Sequence, residues 1–384
     1  MTKTIVFLAN KYPNKFNKNV NVFTQQVVWS INDLGYKCIV ICPNPTNYNK
    51  NNKKLELKDF DNTDQGDKIA IYRPRYIGLG QSGRFLKKFR THVTTSSYIN
   101  AVDKTINKLN LDKNFVLFGE FLCPSGVAAA ILGKKYKVCS FFQCGEATTS
   151  SFEGYDVNNL QRILSRLTGA IALSEQNKHY LTDKGFVPED KVIILPSGYL
   201  QSQFRVMDKN ECRIKLGLPL DKFIVGFCGS YDERKGVKRL EKAVDKVDGA
   251  YLACVGYGPQ KYTPASSKCL MSKAIDHKDL ALFYNAVDVY AMPTYNEGCC
   301  TAIVEAIACG KPILSSDRSF NYDICKQTNS ILLDPDDIDG FSNAISFLMN
   351  NPNKLHEMEN GSLEIAKGLT LESKAEKLVE FMQI

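Results

Sequence analysis

Apolar residues in this chain gather in short continuous runs and not in strict alternation. In the first half the runs cover residues 4–8, 38–41, 69–72, 115–118, 138–141, 170–173 and 192–195. Each predicts a strand buried on both faces, as in a parallel sheet covered by helices. Between the first two runs, residues 22–34 have the spacing of an amphipathic helix that ends at Gly35, a residue suited to a helix C-terminus. The stretch 43–67 is rich in Asn, Lys and Asp and reads as surface loop. The second half restarts the series at 223–227, 251–255, 289–292, 313–315 and 331–333, with a weaker candidate near Leu270. One strand–helix pattern returning without a sequence repeat predicts an α/β protein of two Rossmann-like domains. Gly217, Pro219 and scattered charges mark a boundary within 198–221.

A chain of 384 residues suits two cores of this size. Hydrophobic content of 44% with 23% charged residues excludes a disordered chain, and no run of 18 apolar residues marks a spanning helix. The first apolar stretch is too short for a signal peptide and reads as a strand. Thirteen cysteines without a Cys-x-x-Cys pair, mostly in apolar runs, read as small core residues in a reducing compartment. Four scattered histidines give a metal site little support. Charge changes the picture more. Residues 1–197 carry 27 Lys and Arg against 16 Asp and Glu, a surplus of 11 cations, whereas the rest carry 22 against 25. A basic half joined to a near-neutral half points to an anionic surface or partner on one side.

Residues 287–316 hold the strongest chemical signal. The run 289–292 breaks at Pro293, and after a polar loop Ala302, Ile303, Ala306 and Ile307 have helical spacing up to Gly310. Glu297 lies in the loop and Glu305 on the helix. Carboxylates on an apolar helix side are costly to bury unless paired or hydrogen-bonded. Two of them bracketing a Gly-Cys-Cys-Thr turn suit a ligand rich in hydroxyls, and the N–H groups at the helix start suit a phosphate. The segment Glu297-Gly298-Cys299-Cys300-Thr301-Ala302-Ile303-Val304-Glu305-Ala306 resembles the E-G-x-G-x-x-x-x-E-A pattern of retaining GT-B glycosyltransferases of family 4, the group 1 glycosyltransferases.

The resemblance continues in register. Residues 229–236 are similar to G-R-L-x-x-x-K-G, whose arginine and lysine grip the donor diphosphate. Lys235 matches, Ser230 stands at the arginine position, and Arg234 is the candidate substitute. Gly256-Tyr257-Gly258-Pro259 resembles the G-x-G-P turn, and Leu195-Pro196-Ser197-Gly198 the P-N-G segment leading into the second domain, with Phe204 after it. In the first half, Tyr12-Pro13 and Phe23-Thr24-Gln25-Gln26 resemble the opening of capsule- and teichuronic-acid-type members, with Asn21 or Val22 at a position often held by glycine. Pro124-Ser125-Gly126 looks like the family's P-x-G. Gln143-Cys144-Gly145-Glu146 occupies the place of H-G-x-D, so that Cys144 replaces a histidine and Glu146 stands in for the acidic residue.

The resemblance implies a GT-B architecture of two facing Rossmann-like domains with a central cleft: an acceptor-side domain 1–200, a nucleotide-sugar domain 201–365, and a C-terminal helix, 366–384, packed back on the first. It implies a hexosyltransferase of the EC 2.4 class that moves sugar with retention, from a UDP- or GDP-sugar to a glycan or lipid-linked oligosaccharide acceptor in surface polysaccharide biosynthesis. Glu297 and Lys235 are the expected catalytic residues. The donor is expected on Gly229, Arg234, Lys235, Gly256, Gly258, Glu297, Gly298, Cys299, Cys300, Thr301 and Glu305. Lysine, helix N–H groups and a closed cleft would meet the leaving diphosphate's charge, so no cofactor and no essential metal are expected.

Residues 84–90, Arg-Phe-Leu-Lys-Lys-Phe-Arg, place Phe85 and Phe89 four apart among four cations. That pattern fits an enzyme held peripherally on the inner face of the plasma membrane as well as an inward-packed helix with solvated cations. The alternative function is a non-catalytic nucleotide-sugar or glycan-binding protein on a decayed GT-B fold, favoured by Cys144 and Ser230. A nicotinamide dehydrogenase is disfavoured because 8–11 lack G-x-G-x-x-G, and nucleic acid because aromatic and basic residues interleave only at 84–90.

Overall fold

The computed structural model describes residues 3–18, 20–46, 54–63, 66–79, 86–147 and 152–383. The chain divides into two compact units, Met1–Leu195 with Glu372–Ile384, and Pro196–Leu371.

The first unit contains strands β1 (Thr4–Leu8), β2 (Cys38–Ile41), β3 (Asn44–Pro45), β4 (Lys58–Asn62), β5 (Lys68–Tyr72), β6 (Arg75–Tyr76), β7 (Phe115–Gly119), β8 (Ser140–Cys144), β9 (Gly169–Ala172) and β10 (Val192–Ile194). Its helices are α1 (Val22–Asp33), α2 (Lys87–Leu109), α3 (Val127–Tyr136), α4 (Val157–Leu164) and α5 (Glu175–Asp183). Eight strands form one sheet in the order β10-β9-β8-β7-β1-β2-β5-β4. Every pairing in it is parallel except that of β4 with β5. The continuous apolar runs are explained by the packing: Ile5 and Phe7 belong to one core cluster, Val6 and Leu8 to another, because successive side chains leave a strand on opposite faces and both faces are covered.

The second unit contains α6 (Lys209–Leu216), β11 (Phe223–Cys228), α7 (Val237–Asp245), β12 (Ala250–Val255), β13 (Cys269–Lys273), α8 (Leu280–Ala286), β14 (Val289–Met292), α9 (Thr301–Ala308), β15 (Ile313–Ser316), β16 (Ser330–Leu333), α10 (Ile338–Asn350) and α11 (Pro352–Ala366). A final helix, α12 (Leu371–Met382), places Phe381 edge-on to Phe141 in the first unit's core. The second sheet is wholly parallel, in the order β13-β12-β11-β14-β15-β16. This is the doubly wound Rossmann order, which reverses beside its first strand and opens a crevice at the strands' carboxyl ends. Asp156, Ser174, Asp208 and Asp337 cap α4, α5, α6 and α10 by accepting a hydrogen bond from an N–H three residues on.

Two expectations are corrected here. Residues 43–67 are not simply loop, because β4 lies within them as a polar edge strand. Asp61 on β4 accepts hydrogen bonds from Tyr12 Oη (2.9 Å), Gln25 Nε2 (2.8 Å) and Trp29 Nε1 (2.8 Å), so polar contacts and not apolar packing hold this strand's inward residue. The run at 138–141 is displaced two residues, since β8 begins at Ser140. Asn21 is the residue at the glycine-like position: its φ of 49° lies in the left-handed region, which asparagine tolerates better than most. Glu146 is folded inward, with Oε1 accepting from Leu122 N (2.6 Å) and Oε2 from Gly145 N (3.0 Å), and burial raises its pKa.

Candidate active site

The second unit's strand order reverses between β11 and β14, and the turns that leave these two strands carry the charged residues. After β11, Asp232 shapes the turn. Its Oδ1 accepts from Lys235 N at 2.7 Å and its Oδ2 from Ser230 Oγ at 2.6 Å, so Ser230, at the expected arginine position, is turned toward its own loop. Gly236 closes the turn with φ 79°, and a side chain there would meet Pro293 O at 2.3 Å, so the two turns touch where glycine stands.

After β14, Glu297 is buried and receives donors from both turns. Its Oε1 accepts from Thr294 Oγ1 (3.0 Å), lies 2.8 Å from Lys235 Nζ, and is paired with Arg234 Nη1. Arg234 also donates to Asn296 O at 2.7 Å. Thus Arg234, Lys235 and Glu297, separated by about sixty residues in sequence, form one ion cluster. Burial alone would depress the Lys235 ammonium, but Cys300 and the Glu297 carboxylate beside it outweigh burial and hold its pKa above the ordinary value.

Helix α9 begins just past Glu297. No side chain caps it, and Ile303 and Val304 N–H both turn back to Cys300 O. Its leading N–H groups at Thr301 and Ala302 therefore have no intrahelical partner, the arrangement that attracts an anion. Cys300 is packed inward, with Sγ 3.3 Å from Met292 Sδ and its thiol pushed up to about 12 by burial. Cys299 Sγ receives Ser197 N at 3.4 Å.

Glu305, one turn along α9, is also buried and has one partner on each carboxylate oxygen. Tyr284 Oη donates to its Oε2 at 2.8 Å, and His277 Nε2 lies 3.1 Å from its Oε1. The hydrogen bond to Glu305 raises the His277 pKa against the opposing pull of burial. Neither His277 nor Tyr284 was singled out by sequence, since a histidine before a helix and a tyrosine among apolar neighbours carry no pattern of their own.

Arg239, on α7, is likewise absent from the sequence-derived set. Its guanidinium donates to Glu233 O (2.8 Å) and Pro293 O (2.7 Å) and stacks 3.8 Å from the centroid of the Tyr295 ring, joining the two turns from behind. Gly256 and Gly258 also serve the packing of one turn on another. A side chain at Gly256 would meet Gly229 O at 1.9 Å, and one at Gly258 would meet Tyr231 O at 2.0 Å. They let the turn after β12 lie on the turn after β11, where Gly229 N bonds Val255 O and Tyr231 N bonds Tyr257 O, each at 2.9 Å.

Two Rossmann-type units, the second with cations and carboxylates gathered at its switch point, define a glycosyltransferase of GT-B fold. Residues 208–364 match the family model described as Glycosyl transferases group 1. The chain is 25% identical over 357 residues, covering 89% of this chain and 88% of the other, to TuaC of Bacillus subtilis (strain 168), named for glycosyl transfer in teichuronic acid biosynthesis. Among solved structures it is similar to sucrose-phosphate synthase from Thermosynechococcus elongatus (TM-score 0.76, 18% identity, 99% of this chain and 98% of that one). It is also similar to Anabaena HepE in complex with UDP (TM-score 0.74, 14% identity, 99% of each chain).

Proposed function

We propose that the chain transfers a sugar, with retention, from a nucleoside-diphosphate sugar to a glycan or lipid-linked acceptor in the building of a surface polysaccharide. The observation that carries this reading is the convergence of Arg234, Lys235 and Glu297 beside the start of α9. The leaving diphosphate gains charge as the glycosidic bond breaks. Lys235 and the open N–H groups of α9 meet that charge in a partly dry site, where fixed donors are worth most. Arg234 exchanges part of its contact with Glu297 for a phosphate oxygen. Glu297 accepts from sugar hydroxyls and Glu305 from the ribose. UDP is the first donor nucleotide to try, since a solved neighbour holds it, with GDP the alternative. The name of the Bacillus relative supports the polysaccharide context.

In this reading the protein's own cations replace a metal, so transfer persists in excess EDTA. A panel of nucleotide sugars screened for protection against heat unfolding identifies the donor. With that donor, purified Glu297→Ala and Glu305→Gln should lose most transfer while remaining folded. Parent rates in both variants would show that the site is elsewhere.

The membrane part of the reading rests on fewer residues. Arg84 and Phe85 lie outside the described residues, while Leu86 and Phe89 are 54% and 59% exposed and Lys87 pairs with Glu153. Among the described residues no helix is long and apolar enough to cross a membrane. We propose peripheral contact with an anionic inner leaflet. A parent protein that fails to float with anionic vesicles at low salt removes this part and leaves the transfer reading intact.

A further inference from the structure

The buried carboxylate of Glu305 is held by groups that no part of the sequence pattern includes. His277 approaches one oxygen and Tyr284 the other. Behind the histidine, Gln203 Nε2 donates to His277 O at 2.6 Å and lies 3.2 Å from its Nδ1. For that amide to donate to Nδ1, the ring proton must be on Nε2, where it points at Glu305 Oε1. Phe204 packs edge-on against the imidazole at 5.7 Å and lies 6.1 Å from the Tyr284 ring, which fixes the planes of both.

An ionised carboxylate offers about four lone-pair positions, two on each oxygen. His277 and Tyr284 each occupy one, on different oxygens. By this count one acceptor position per oxygen remains, the number that a vicinal pair of hydroxyls uses. We propose that His277 and Tyr284 are positioning residues that hold Glu305 as a paired acceptor for a vicinal diol, so that this site selects ribonucleotide over deoxyribonucleotide donors. The inference rests on the ribose role given to Glu305 above and adds the residues that enforce it. His277 is half-buried and Tyr284 fully buried, so the first can be altered without opening the core.

The test compares binding of UDP with that of its 2′,3′-dideoxy analogue by calorimetry, or of the guanosine pair if GDP is the nucleotide bound. The parent should favour the ribonucleotide strongly. His277→Phe, which keeps the ring contact with Phe204 but has no donor, should lower that ratio about tenfold, the scale of one hydrogen bond to a charged group. Its affinity for the dideoxy nucleotide should be unchanged. Tyr284→Phe should act in the same direction, and His277→Gln, which restores an N–H donor, should recover the ratio. Equal loss for both nucleotides in His277→Phe would mean that the histidine only supports the fold, and an unchanged ratio would mean that it does not act on Glu305. Either result overturns the proposal. A parental ratio in Glu305→Gln is a different failure, because it removes the ribose role of Glu305 itself.

Discussion

The two units reverse strand order in the same way and fill the resulting crevice with opposite chemistry. In the second unit the turns after β11 and β14 bring two cations onto one carboxylate. In the first, the corresponding strands β1 and β7 bring the buried carboxyl of Glu120 against neutral donors: Asn10 N at 2.8 Å, Asn21 Nδ2 at 2.6 Å and Thr24 Oγ1 at 2.5 Å. Burial pushes the Glu120 pKa up to about 7 although these hydrogen bonds pull it down. An ion cluster can trade partners with an incoming anion. A carboxyl wrapped by neutral donors is instead a fastening, tying the segment after β1 to the end of β7. Topology therefore says where a site can form, and side-chain charge says whether a ligand or the chain itself occupies it.

Three experiments sharpen or break this contrast. The largest effect belongs to Lys235→Ala, which should lower turnover by about 10²–10³, the scale of removing one fixed donor from a charged transition state. Glu120→Gln should leave turnover within a few-fold of the parent. Comparable losses in the two would erase the distinction between ligand site and fastening.

The second effect is on stability. The folded pKa of Glu120 exceeds the ordinary carboxyl value of 4.5, so the native state holds the proton more tightly than the unfolded chain. The associated stability is full below pH 4.5 and is lost as pH rises through about 7. The loss amounts to about 3 kcal/mol on the scale of 1.36 kcal/mol per pH unit. Urea unfolding of parent and Glu120→Gln at pH 4.5 and 8 isolates this contribution, since the variant should lack it. A difference that grows in the variant at high pH would reverse the sign and refute the assignment.

The smallest effect tests the joint between the second unit's turns. Arg239→Met removes the contacts to Glu233 O and Pro293 O but keeps a long side chain near Tyr295. It should reduce kcat/KM about tenfold, in the range of one or two lost hydrogen bonds. Unaltered kinetics would mean that the turns hold their geometry without it.

The contrast also explains what could be read from the amino acids. Strands such as β1, β2 and β14 were legible to the residue because continuous apolar runs leave little choice of register. Glu297, Glu305 and Lys235 were legible as positions through motif spacing, and Arg234 as the arginine beside Lys235 in the turn where Ser230 holds the expected arginine position. Edge strand β4 was not, because its partner on one side is solvent and its inward residue is Asp61, a hydrogen-bond hub. His277, Tyr284 and Arg239 escaped for a related reason: each acts through a partner distant in sequence, and a single chain records no pairing across such distances. The glycines at 256 and 258 were legible as positions, and the neighbouring turn's approach is by itself enough to exclude a side chain there.

The ends of the second unit are fastened to each other. Tyr199 N bonds Leu369 O and Leu371 N bonds Tyr199 O, both at 3.0 Å, so the segment enters and leaves the unit at one doorway. Residues 196–371 are in that sense a closed insert in the first unit's chain. An insert whose ends already meet can be lifted out and replaced by another of the same outline without stretching either junction. On the donor site proposed above, donor preference is then exchangeable as a single cassette, residues 196–371, cut at one doorway.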